Sequence, residues 1–218
     1  MLHFILYKHL SEPTSSRVRY TREQMEEFAS SFYDVSLAPG LKLKEVWALT
    51  DKESARLVNQ EEGYAELWHS GGRVVLLGDS AVKMTSMSGL GVNVGMHSAA
   101  LLASELQRLV ANGQQRPPSS DVFPDTASLE QAFTRYQQFR QKEAKRIYNF
   151  GYAVVRQVTW NSWLDWFIDR ILLPWYNKDH MMRSMMYPMV SNGQVLSYVP
   201  FNGKEGLVPW RRVPEAKI

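Results

Sequence analysis

Apolar residues recur with a helical period in three parts of the chain. A helix is predicted after Thr21, because T-R-E-Q fits a capping box and the following apolar residues share one face: Met25, Phe28, Ala29 and Phe32. Pro39-Gly40 is expected to end it. Gly89 to Val110 predicts a second helix whose early face consists of small residues. A capping pattern at Ser128 opens a third, long helix that keeps its period to Val154.

Three shorter apolar segments predict strands. Phe4 to Tyr7 is one, and Leu41 to Leu49 is a second, which we expect to lead into a short helix from about Lys52. Val74 to Leu77 is a continuous apolar run between Gly71-Gly72 and Gly78-Asp79, a pattern typical of a fully buried strand. Asn112 to Thr126 is rich in proline, glycine and serine and predicts a loop.

Aromatic and methionine residues are concentrated in the last third. Most of the 7 tryptophans and half of the 10 methionines lie between Trp160 and Trp210. The segment WNSWLDWFIDRILLPWY contains two aspartates and an arginine, so an interfacial or buried helix is predicted rather than a membrane span. Three interpretations stay open: a cap on the core, a wall of a substrate pocket, or a membrane-facing patch.

Composition narrows the function classes. The 218 residues suit one domain or one and a half, and a net charge of +3 without runs of like charge predicts no nucleic-acid partner. Zero cysteines exclude disulfides and a thiolate nucleophile, and five scattered histidines predict no metal site. The first ten residues lack the features of a secretory signal, so we expect a cytoplasmic protein, with peripheral membrane contact through residues 160–176 as an alternative.

Candidate chemistry lies around the strand, the Gly78-Asp79 pair, the loop and Gly89-x-Gly91-x-Asn93. An aspartate at the end of a strand can accept hydrogen bonds from sugar hydroxyls, and the amides of a helix N-terminus face an anion. This order of strand, turn, loop and helix could therefore bind the middle part of a dinucleotide, although the same features also occur in plain turns. Glu61-Glu62 is either a carboxylate pair or a solvated helix end, and His97 is either a packed helix residue or a pocket residue.

The segment GRVVLLGDSAVKMTSMSGLGVNVGMHSAALLASEL resembles the second flavin-binding motif of FAD-dependent monooxygenases with the p-hydroxybenzoate hydroxylase fold. The similarity is most specific at Gly78-Asp79, Lys83-Met84-Thr85 and Gly89-x-Gly91-x-Asn93. Trp68 and the YQQFR segment from Tyr136 to Arg140 are similar to the branch that epoxidises or hydroxylates prenylated and terpenoid intermediates in fungal secondary metabolism.

The resemblance implies a mixed α+β fold and an oxidoreductase that uses FAD, NAD(P)H and O2 on an apolar substrate. Asp79 would bind the ribityl chain, and the Gly78-Asp79 backbone would lie near the pyrophosphate. The loop beside the isoalloxazine would consist of Gly89, Leu90, Gly91, Val92 and Asn93, where the positive helix end stabilises charge on the reduced ring. The resemblance identifies no catalytic side chain.

Departures from the family pattern set further expectations. Val82, Ser86, Met87, Leu90 and Val92 replace the usual residues, and a branched side chain at Val92 fits poorly beside a flavin. The sequence has no Gly-x-Gly-x-x-Gly for the ADP part of FAD. It therefore resembles the C-terminal half of such an enzyme, a truncated form in which FAD binding by this chain alone is expected to be weak or lost unless another chain supplies the missing half.

The predicted organisation has three segments. Residues 1–50 would be the remnant of a substrate-binding sheet plus a helix, residues 51–115 the second FAD-binding motif region, and residues 116–218 a helical region with an aromatic tail. The alternative function is a non-redox remnant of the family: a substrate-binding protein, a cofactor-free cyclase or isomerase, or an inactive partner. Dependence of product formation on FAD and NADPH distinguishes the two.

Overall fold

The computed structural model describes residues 3–113, 124–200, 203–204 and 206–211, and the chain divides into two units, Met1–Gln60 and Glu61–Ile218. Helices and three two-stranded antiparallel sheets make up the described part, so the mixed α+β class is confirmed at that level. The three-segment organisation stays a prediction. Each unit is described by itself below.

The first unit contains two helices and a hairpin. Helix α1 spans Arg22–Ser30 and begins with the predicted capping box, in which the Gln24 amide donates to the Thr21 hydroxyl at 3.3 Å. Strands β1 (Ser36–Ala38) and β2 (Leu41–Lys42) are antiparallel, and helix α2 spans Leu43–Ala48. The core consists of three buried residues: Met25, Ala29 and Trp47.

Four predictions for this unit are wrong. Helix α1 ends at Ser30, and Pro39-Gly40 forms the β1–β2 turn, where Gly40 has φ +76°. The predicted strand Leu41 to Leu49 is mostly helix α2, because Leu43 and Trp47 lie one turn apart and both are buried. The segment after Lys52 is turn and coil, not helix.

The predicted strand from Phe4 to Tyr7 is also absent. An apolar run becomes a strand only when a neighbour supplies hydrogen bonds, and this segment pairs with no strand in the described part of the chain. Phe4 instead packs edge-on against Trp47, with ring centroids 6.4 Å apart.

The strands of the second unit form two short ladders. Strand β3 (Gly63–Tyr64) pairs with β6 (Val82–Lys83), and β4 (His69–Ser70) pairs with β5 (Val74–Val75). The predicted burial of the run from Val74 to Leu77 is wrong, since Val74 is 55% exposed and Leu77 is 38% exposed. A strand in a two-stranded ladder keeps one open edge, so this segment does not reach the burial of a strand inside a parallel sheet.

Two long helices pack together in this unit. Helix α3 spans Gly91–Gly113, close to its predicted bounds, and helix α4 spans Thr126–Val158, which confirms the long periodic helix. The cap of α4 was predicted at Ser128 but lies at Asp125, whose carboxylate accepts from the Ser128 amide at 2.7 Å. Most of the predicted loop between them lies outside the described residues. Their shared core contains seven buried residues: Trp68, Ala81, Val82, Val94, Tyr136, Ala144 and Ile147.

The part of the chain that follows α4 forms short helical pieces. Helix α5 (Trp163–Phe167) continues through a π-helical turn, Ile168–Leu172, and a 3₁₀ turn, Leu173–Trp175, and helix α6 spans Lys178–Ser191. Trp163 is 77% exposed and Trp175 is 89% exposed, so these two side chains do not cover the core, whereas Met189 packs against it. Among the described residues, no helix has the length and apolar character needed to cross a membrane.

Candidate functional site

The chain turns sharply after β5 and leaves Asp79 exposed. Gly78–Ser80 is a single 3₁₀ turn in which Gly78 has φ +59°, a conformation that glycine adopts without steric cost. The Ser80 hydroxyl closes the turn by donating to the Leu77 carbonyl at 2.7 Å and accepting from the Leu77 amide at 3.0 Å. The turn therefore presents the Asp79 carboxylate to solvent.

The first turns of α3 lie directly against this turn. A Cβ added at Gly95 would stand 3.7 Å from the Gly78 Cα, and one added at Gly91 would stand 4.0 Å from Asp79 Oδ1. Both are ordinary van der Waals distances for an added methyl group, so Gly95 lies close to the Gly78 backbone and Gly91 lies close to the Asp79 carboxylate. The predicted site residues Gly78, Asp79 and Gly91 are thus brought together.

The loop before α3 also places its residues at this edge. Ser86–Ser88 is a 3₁₀ turn that ends at Gly89, which has φ +63° and no atom within 4 Å of an added Cβ. The Val94 amide donates to the Leu90 carbonyl at 3.0 Å, so α3 begins immediately after Leu90. The first amides of a helix have no acceptor within it, and here they belong to Gly91, Val92 and Asn93.

This edge has the properties that part of a flavin site requires. Asp79 and Asn93 are exposed, Val92 is 74% exposed, and the space around Gly89 is open. The amides of the first turn of α3 favour a negative group, whereas Asp79 can accept hydrogen bonds from hydroxyls. The residues present therefore fit the ribityl chain and an electron-rich edge of a flavin, with Val92 as the bulkiest group beside it.

A buried arginine on α4 anchors α3 behind this edge. Arg140 has no exposed surface; its Nε donates to the Ser98 hydroxyl at 2.9 Å and its Nη2 to the Val94 carbonyl at 3.1 Å. Its Nη1 contacts the Glu143 carboxylate at 2.6 Å. The pKa of the Arg140 guanidinium is lowered, because the effect of burial exceeds the opposing effect of the Glu143 carboxylate. The role of Arg140 was missed from the sequence, although a charged residue on the apolar face of a long helix is a signal for it.

Tyr136 lies one turn before Arg140 and binds the segment between β5 and Gly78. Its hydroxyl donates to the Leu76 carbonyl at 3.1 Å, two residues before Gly78. Burial raises the pKa of the Tyr136 phenol. Because Tyr136 and Arg140 lie on one helix, α4 fixes both sequence segments of the candidate site.

The other candidate residues, His97, Glu61 and Glu62, are held by packing or by ion pairs with neighbouring side chains. The His97 ring packs against Gly193, where an added Cβ would stand 2.9 Å from His97 Cε1, and burial followed by the Arg140 charge lowers the His97 pKa. Glu61 pairs with Lys83, and Glu62 pairs with Arg156 at 2.8 Å, so the two carboxylates do not act as one pair. Within the described ranges, no group of three or more His, Asp or Glu side chains could hold a metal ion.

Comparison with known proteins first gives a matching family. Residues 20–121 match the FAD binding domain family, a range that includes every residue of the candidate site. The resemblance to FAD-dependent monooxygenases predicted from the sequence is confirmed. No solved structure matches the chain.

The alignments with individual relatives extend over nearly the whole of this chain. It is 40% identical to the FAD-dependent monooxygenase srdH of Neurospora crassa over 97% of this chain and 47% of that protein. It is 31% identical to DEP2 of Alternaria brassicicola, covering 90% of this chain and 35% of that protein, and 31% identical to SAT1 of Stachybotrys chartarum, covering 88% and 62%. The chain therefore spans roughly a third to two thirds of the length of these relatives.

Proposed function

We propose that this chain provides the second flavin-binding motif of an FAD-dependent monooxygenase with the p-hydroxybenzoate hydroxylase fold. One observation carries the proposal: Gly78 lies close to Gly95 and the Asp79 carboxylate lies close to Gly91, which places a carboxylate and helix amides along one exposed edge. The relatives named FAD-dependent monooxygenases support it.

The residues of the edge have separate roles. Asp79 accepts hydrogen bonds from ribityl hydroxyls, and the Gly78-Asp79 backbone lies near the pyrophosphate. The loop of Gly89, Leu90, Gly91, Val92 and Asn93 lies beside the isoalloxazine, where the positive end of α3 stabilises negative charge. FAD, when bound and reduced by NAD(P)H, supplies the oxygen-transfer chemistry.

The proposal also includes the class of substrate and the origin of the contacts to the ADP part of FAD. The substrate would be an apolar, prenylated or terpenoid intermediate of secondary metabolism that is hydroxylated or epoxidised. The ADP part of FAD needs contacts of the kind that a Gly-x-Gly-x-x-Gly motif makes. This sequence has no such motif. Those contacts would come from sequence beyond the printed chain or from a second chain.

Replacing Asp79 with alanine is expected to weaken FAD binding by roughly tenfold or more, because hydrogen bonds to a charged acceptor are lost. FAD titration followed by flavin absorbance and by thermal shift measures the affinity. Asp179→Ala, which removes an exposed carboxylate in the first turn of α6, is the matched control and should leave the affinity unchanged. Equal affinity of the Asp79 variant and the unchanged chain, or an equal loss in the Asp179 control, would contradict the proposal.

A second proposal concerns residues 160–176, which we term the aromatic segment, as a membrane-surface contact. Most of its large apolar side chains are exposed over 37% to 89% of their surface, among them four tryptophans: Trp160, Trp163, Trp166 and Trp175. Tryptophan and tyrosine favour the interface between lipid and water, where the ring is buried and its polar group stays hydrated. Arg170 lies 5.2 Å from the Trp160 ring centroid and adds a charge that suits the headgroup layer.

The double variant Trp163→Ala, Trp175→Ala is expected to reduce binding to phosphatidylcholine vesicles by roughly tenfold or more, since each indole contributes apolar area. Flotation of the protein with the vesicles measures the bound fraction. Leu49→Ala, at an 89% exposed apolar residue outside the segment, should bind as the unchanged chain does. Failure of the unchanged chain to float, or equal loss in the control, would remove this proposal.

A further inference from the structure

A recess in the first unit has features that neither proposal uses. It has a volume of about 190 Å³ and lies between the start of α1 and the segment of residues 52–57. We term it the basic recess. Its charged lining residues are Arg22, Lys52, Glu53 and Arg56, and Met25 and Leu57 contribute apolar surface. Three cations and one carboxylate therefore surround one small volume.

The hydrogen bonds of the recess hold the two arginines in place. Arg22 Nη1 contacts Glu53 Oε1 at 2.8 Å, and Arg56 Nη1 donates to the carbonyls of Glu53 and Ala55, both at 2.6 Å. These bonds use one nitrogen of each guanidinium, a group that carries five N–H donors. The segment is thereby positioned while each guanidinium keeps further donors with which to bind a ligand.

Lys52 is fixed at the third side of the recess. Its Nζ donates to the Trp47 carbonyl at 2.5 Å and lies 3.6 Å from the Trp47 ring centroid. Burial lowers the pKa of the Lys52 ammonium, Glu26 raises it, and the charge of Arg22 lowers it further. Arg22, Lys52 and Arg56 line the same small volume, so an entering anion would be favoured there.

The size and the donors select the kind of anion. Pockets for whole cofactors and drug-sized ligands have volumes of roughly 300–1,000 Å³, larger than this recess. Guanidinium groups bind the oxygens of phosphate with paired N–H donors, and an ammonium adds a point charge. We propose that the basic recess binds one phosphate group of a small phosphorylated ligand, with Arg22, Lys52 and Arg56 as the binding cations and Glu53 as a competing carboxylate.

This assignment predicts opposite effects from two neighbouring residues. Arg56→Gln should weaken the binding of inorganic pyrophosphate by roughly tenfold, and Glu53→Gln should strengthen it by a few-fold because the competing carboxylate is gone. Lys42→Gln is the matched control: it removes one positive charge in the same unit, paired with Asp34 at 2.8 Å and absent from the recess lining. The control should bind as the unchanged chain does.

Titration of the whole chain with pyrophosphate, followed by amide NMR, measures these affinities. Saturable shifts in Thr21–Met25 and in residues 52–57, with the opposite effects of the two variants, are the expected result. Absence of saturable shifts there, or an equal loss with Lys42→Gln, would overturn the assignment. Parallel titrations with inorganic phosphate and NADPH identify the source of the phosphate. Tighter binding of NADPH than of inorganic phosphate indicates a nucleotide, and equal binding of the two indicates a free anion. Asp79→Ala should bind pyrophosphate normally, which separates this result from the fate of the flavin proposal.

Discussion

Replacing Gly72 with alanine is expected to lower the free energy of unfolding by about 2–5 kcal/mol. Gly72 has φ +62°, a conformation that costs an L-residue about 1–2 kcal/mol. An added Cβ would also collide with the Thr126 carbonyl oxygen and lie 3.2 Å from the Glu130 backbone nitrogen. Overpacking of this kind costs about 1–3 kcal/mol more. The Gly72 amide donates to the Glu130 side chain, so any shift that relieves the collision also disturbs that bond.

Gly71→Ala is the matched control for this prediction. Gly71 has φ +56°, yet no atom lies within 4 Å of its added Cβ, so this variant should lose about 1–2 kcal/mol from backbone strain alone. Urea unfolding of both variants measures the difference. Equal losses would mean that the β4–β5 hairpin is not held closely against the start of α4.

Arg140→Ala is expected to lower the free energy of unfolding by about 3 kcal/mol. Removing one partner of a buried ion pair costs about 3–5 kcal/mol, and the lower value applies because the Glu143 side chain is 24% exposed and stays partly hydrated. The variant also removes donors to the Val94 carbonyl and the Ser98 hydroxyl inside the α3–α4 contact. Lost anchoring of α3 should therefore accompany the lost stability.

The measurement is urea unfolding combined with hydrogen exchange of the α3 amides. Lys142→Ala, at an exposed position of the same helix, should change the unfolding free energy by no more than about 0.5 kcal/mol. Faster exchange of the first turns of α3 in the Arg140 variant, beyond the global loss of stability, is expected. A loss below about 1 kcal/mol with unchanged exchange would show that Arg140 does not position α3.

Features that depend on local sequence were predicted well. The capping box at Thr21 and the period of α4 are set by residues three or four apart, and both are present in the structure. The edge that joins Gly78, Asp79 and Gly91 was also expected, because a strand, a tight turn and a glycine-rich helix follow one another within a short segment. Local order alone brings these residues close together.

Features that depend on distant residues were not predicted. Val74 to Leu77 has the composition of a buried strand, but its burial depends on which neighbours cover it, and β5 has a single partner strand among the described residues. The Arg156–Glu62 pair and the bonds of Arg140 to Val94 and Ser98 join residues 42 to 94 positions apart. The exposure of the aromatic segment likewise depends on packing that its composition does not specify.

Mapping FAD binding onto the amide resonances of the unchanged chain tests the central claim most directly. Saturable shifts are expected at Gly78, Asp79 and the loop Gly89 to Asn93, since these backbone groups lie along the proposed flavin edge. Weak affinity would still be compatible with that result, because the pattern of shifts and not their midpoint identifies the site. Saturable shifts confined to other parts of the chain would contradict the claim.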